Sequence, residues 1–102
     1  MTIEQITKNY TSSIEENRKN LLGNMENLRS AGYPEVLLET AREEYLRYEK
    51  MVVSYASVWL RLHFDKYELE ELEERCSKAI LENKYHKRML EVFFFFVSET
   101  EK

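Results

Sequence analysis

The chain of 102 residues has one cysteine, one proline and two glycines, and Gly23, Gly32 and Pro34 all lie before residue 35. A lone Cys76 closes no disulfide within the chain, which excludes a disulfide-stapled secreted scaffold. No apolar run approaches the roughly 20 residues that span a bilayer; the longest, Val92 to Val97, is far too short. The N-terminus lacks the basic-then-apolar layout of a secretory signal. An intracellular protein is expected, in cytosol or nucleus, free of membrane.

Chemistry is equally sparse. His63, Cys76 and His86 are the only soft metal ligands, and their spacings of thirteen and ten match no zinc pattern. Leu60 and Asn83 stand three before the two histidines, so the Glu-x-x-His pair of di-iron bundles is missing. Glu70, Glu71, Glu73 and Glu74 read as a solvated helix face rather than paired catalytic carboxylates. No glycine-rich elbow or anion-binding loop organises the Ser, His and Asp residues. The sequence predicts no enzyme, no metal and no cofactor.

What remains is helix-forming. Charged residues make up 33% of the chain and hydrophobic ones 43%, with a net charge of −4. A turn-poor chain rich in Leu, Glu, Lys and Arg is expected to be all-α. The acidic balance argues against general affinity for nucleic acid or anionic membrane. At this length the expectation is a single domain over 1–102, a small antiparallel helical bundle with one long central helix.

Three helices are predicted. Thr2 with Gln5, and Ser12 and Ser13 with Glu15 and Glu16, fit capping boxes, so the first helix starts at Thr2 or restarts near Ser13. It runs to about residue 29, with the apolar stripe Ile3, Ile6, Tyr10, Ile14, Leu21, Met25 and Leu28, interrupted by Asn17. Gly32 suits a left-handed cap and Pro34 a helix start, so the connection predicts a helical hairpin. The second helix, about 34–64, shows the seam Leu38, Ala41, Tyr45, Tyr48, Val52, Tyr55, Trp59 and Leu62 in steps of three and four. Asp65, the only Asp, and Glu68 cap a third helix over about 66–92, whose acidic start and basic Lys84, Lys87 and Arg88 complement its dipole. A polar tail follows from Ser98. Val92 to Val97 is left open between helix and a short C-terminal strand.

The second half of the central helix is apolar on more than its seam, because Met51, Val53, Val58, Leu60 and Phe64 add cover on other sides. Four consecutive Phe cannot all face one small core on either a helix or a strand. The excess predicts an interface with other protein subunits, built from Tyr48, Met51, Tyr55, Val58, Trp59, Arg61, Leu62, Phe64, Phe93, Phe94, Phe95 and Phe96. A hetero-oligomer is favoured; the a/d-like seam equally fits a self-associating helical regulator or coiled-coil adaptor. Lys84-Tyr85-His86-Lys87-Arg88 is the one basic cluster enclosing an aromatic, so Lys84, Lys87 and Arg88 form the lesser alternative, a nucleic-acid contact.

The order of Arg47 to Lys50, aliphatics, Ser54-Tyr55, Leu60-Arg61-Leu62 and Asp65-Lys66-Tyr67 resembles the central helix of GINS subunits of the replicative helicase. Ser30-Ala31-Gly32 before it and Leu69-Glu-Glu-Leu-Glu-Glu74 after it fall in the family's order. Val92-Phe-Phe-Phe-Phe-Val-Ser-Glu99 is similar to the strand opening the small β domain of some members. The resemblance implies a scaffold role in DNA replication, nuclear in a eukaryote, with sister-subunit contacts along Tyr48 to Phe64. The loop usual after the central helix and most of the β domain are missing, and the family's basic residues after the Tyr reduce to Arg61.

Overall fold

The computed structural model describes residues 2–101, which form four helices and no strand: α1 (Ile3–Ser30), α2 (Glu35–His63), α3 (Leu69–Glu82) and α4 (Lys84–Thr100). The capping box at Thr2 sets the start of α1. Gln5 N donates to Thr2 Oγ1 at 3.2 Å and Thr2 N donates to Gln5 Oε1 at 2.8 Å, so two free amides are satisfied at once. The helix continues through Ser12 and Ser13 without a restart. It ends where Gly32 takes φ 93° and Tyr33 N donates back to Leu28 O at 3.1 Å, a cap that needs a residue without Cβ.

Contacts between α1 and α2 follow a consistent order. Near the turn Arg29 grips Glu35 with two bonds of 2.6 and 2.8 Å and also pairs with Glu26. Midway Arg18 binds Glu49 at 2.5 and 3.2 Å, and farthest from the turn Tyr10 Oη lies 3.3 Å from Ser57 Oγ. The surface pair at the turn adds little stability. Glu49, by contrast, is buried, and Arg18 supplies the charge and donors that make that burial tolerable.

The third helix predicted over about 66–92 is two helices, and the break falls at Asn83. Its backbone is extended, with φ −72° and ψ 134°, and its Oδ1 accepts from Tyr85 N at 2.8 Å and from His86 N at 3.4 Å. Asparagine is among the best residues for that position, so the chain turns without Gly or Pro. Val92 to Val97 is helical, which removes the strand alternative, and α4 runs to Thr100 instead of fraying into a tail at Ser98.

The core explains why α4 is helical. It packs on α2 and on α1 more extensively than those two pack on each other, so it lies as a wedge along both. Met89 and Phe96 of α4 are fully buried among Leu21 and Leu28 of α1, Leu38, Tyr45 and Val52 of α2, and Leu72 of α3. Phe93 and Phe95 pack against the edge of that cluster. Against the three helices it contacts, α4 has room for three of the four Phe directions.

Candidate functional site

In α2 the residues that reach the core are Leu38, Tyr45, Glu49, Val52, Ala56 and Leu60. Their spacing follows a straight helix of 3.6 residues per turn. The predicted seam advances by 3.5, and such a line drifts by about 20° per heptad across a straight helix. Leu38, Tyr45 and Val52 therefore keep to the core, while Tyr55 and Leu62 rotate outward. Trp59 is half-buried, with its ring stacked on His63 at 4.2 Å.

The outward rotation creates a second stripe. Leu37, Ala41, Glu44, Tyr48, Met51, Tyr55, Val58 and Leu62 recur in alternating steps of four and three. Beside α4 the stripe is partly covered: Leu37, Ala41 and Glu44 face Val92 and Phe95 across a shallow depression, and the Tyr48 ring stacks against Tyr85 at 6.4 Å. Beyond Tyr48 the cover ends. Met51, Tyr55, Val58 and Tyr85 line an open groove of about 540 Å³ with Arg47, Lys50 and Ser54 at its side. Val58 is 53% exposed and Leu62 61%, so the stripe is uncovered where it is most apolar.

The groove is bordered by cations. Between Arg47 and Leu62 the only acidic residue of α2 is Glu49, which is buried and held by Arg18. On the α4 side Lys84 Nζ lies 5.1 Å from the Tyr85 ring centroid. None of Arg47, Lys50, Arg61, Lys84 or Arg88 forms an ion pair with a described residue. Lys84, Lys87 and Arg88 were expected to complement the end of one long helix. They occupy the first turns of α4 instead, where positive charge opposes the dipole.

The remaining sequence-predicted interface residues go elsewhere. Phe64 and Arg61 border a depression shared with Ile3 and Thr7 of α1. Phe96 is fully buried, Phe93 and Phe95 are packed, and Phe94 alone is exposed, at 57%. Four Phe thus do not form one docking surface. Signals missed in the sequence were Tyr85, Arg47 and Lys50; the 3.5-residue stripe containing Met51 and Val58 was the cue that could have placed the two cations beside it.

A smaller cleft of about 270 Å³ lies between α1, α3 and α4, where Asn9, Asn17, Glu73 and His86 sit among apolar side chains. Burial lowers the His86 pKa, and its Nδ1 is enclosed without a hydrogen-bond partner. In the same cleft burial and then the nearby Glu73 push the Cys76 thiol up to about 11, which leaves it protonated and poorly nucleophilic at neutral pH. Among the described residues no three His, Cys, Asp or Glu side chains converge in a metal-holding group, and no helix is long and apolar enough to cross a membrane.

No family model, curated protein or solved structure matches the chain.

Proposed function

We propose that this chain is a non-catalytic helical subunit that assembles with other helical proteins through the open groove of α2. The observation that carries this reading is the uncovered stripe from Met51 to Leu62, whose 3.5-residue spacing is that of helices packing side by side. In this reading α1 and α2 form an antiparallel hairpin, α2 is the long central helix, and the other helices hold its inner face so that its outer face stays free. Intracellular assembly, in the nucleus for a eukaryotic chain, goes with it.

The finer form of the proposal is a GINS-like component of the replicative helicase. It rests on the order of short motifs from Arg47 to Tyr67 and on the Glu-rich start of α3. The helical Val92–Val97 segment withdraws the similarity to a β-domain strand from its support. Met51→Glu with Val58→Glu is expected to abolish assembly while leaving the helical circular dichroism spectrum intact, since both side chains are exposed. Purification from native cells should bring down GINS sister subunits; repeated recovery of the chain without them removes the replication reading, and unchanged assembly by the double variant removes the groove.

A further inference from the structure

We infer that the occupant of the α2 groove is an amphipathic helix of another protein whose apolar seam is flanked by acidic residues. This rests on the docking reading above and adds the identity of what docks.

Three observations define the occupant. The floor is an apolar stripe at 3.5-residue spacing, which an extended segment does not match but a second helix does, because both then interlock along their whole contact. The open part from Met51 to Leu62 spans twelve residues, about 18 Å of helix, and accepts roughly three turns of a partner. The only charged side chains that line the groove are the cations Arg47 and Lys50, and Lys84 lies over the ring of Tyr85 at its α4 end.

The cations are not there for the fold. At the first position of α4, Lys84 opposes the helix dipole, and neither it nor Arg47 or Lys50 forms an ion pair with a described residue. Around a desolvating apolar contact, fixed charges of one sign favour a partner of the other sign and reject like charge. A second copy of this chain is disfavoured on the same ground, because its own groove would add Arg47 and Lys50 to a contact that already holds the same cations. Nucleic acid would use the same charges and could stack on Tyr55 or Tyr85, but Met51 and Val58 beside them offer no stacking face, and a net charge of −4 opposes general affinity for it.

The test is selection from a displayed library of 21-residue helices with apolar residues at a and d and with Glu, Gln or Lys equally represented at the flanking positions, using the full chain as bait. Glu is expected to be enriched roughly five-fold over Gln, the scale of a few screened ion pairs, with Lys depleted. Arg47→Glu with Lys50→Glu should invert that preference. Helices that are selected with Gln as often as Glu, and that are lost with Met51→Glu, keep the docking groove but overturn the acidic partner. Failure to select any helix overturns the inference outright. So does stable self-association in sedimentation, or salt-sensitive binding of a thymidine 20-mer that Met51→Glu leaves unchanged.

Discussion

Tyr45 carries a cost that its position explains. It is completely enclosed, its hydroxyl has no hydrogen-bond partner, and burial, with Glu49 nearby, pushes its pKa up to about 12. Tyr45→Phe removes an unsatisfied buried group while keeping the ring, so urea denaturation at pH 7 should show stability unchanged or raised by about 1 kcal/mol. The native chain holds this proton more tightly than the unfolded chain, whose tyrosine ionises near pH 10. Stability from this group is therefore complete below pH 10 and falls as pH rises toward 12; the Phe variant should have a flatter alkaline limb. His86 works at the other end. Its lowered pKa means the unfolded chain takes up a proton first as pH drops below about 6.5. Stability should decline there, and His86→Leu should blunt the decline in melts at pH 5 and pH 7.

For the elements, Asn83 and Lys87 give opposite expectations. Asn83→Ala takes the cap from α4 and should cost about 1 kcal/mol in denaturant unfolding. Lys87, away from the groove's border, sits where the dipole prefers negative charge; Lys87→Glu should stabilise by a few tenths to 1 kcal/mol and leave partner binding unchanged, whereas Arg47→Glu should weaken binding. The sequence made α1 and the α1–α2 connection readable because each boundary has its own chemistry: a capping box at Thr2 and a positive-φ glycine at residue 32. The division of α3 from α4 was not readable as a stop, since Asn83 and His86 occur at positions that continue the apolar register and no breaker marks them. Only the extended backbone shows Asn83 to be a cap rather than a polar intrusion.

On the scale of the whole molecule, the readable part of the site was its location on the outer half of α2, not its membership. Local periodicity placed Tyr55 and Leu62 with the core seam, and only the position of α4 shows which side of α2 is covered. The Phe run misled for the same reason: how many directions a helix can bury depends on how many neighbours it has. With three of the four Phe packed, the exposed apolar side chains that are contiguous along one helix face are Met51, Tyr55, Val58 and Leu62, while Leu22, Val36, Leu81 and Phe94 are exposed elsewhere. Binding of a hydrophobic dye to the folded chain should accordingly fall with Met51→Glu and Val58→Glu, because an exposed apolar groove of this kind is the surface such a dye takes.

The wedge position of α4 also sets an order of events during synthesis. α1 and α2 emerge from the ribosome first, yet the trough between them is completed by Met89 and Phe96, which follow 26 and 33 residues after the His63 end of α2. Until that segment is released, the nascent chain exposes Leu21, Leu38 and Val52, the surface that helper proteins bind during translation. A chain ended at Asn83 should remain helical by far-ultraviolet circular dichroism but melt broadly and bind hydrophobic dye, the behaviour of a compact state without fixed packing. The last helix thus acts as the latch of the fold, and cooperative stability arrives only when it closes.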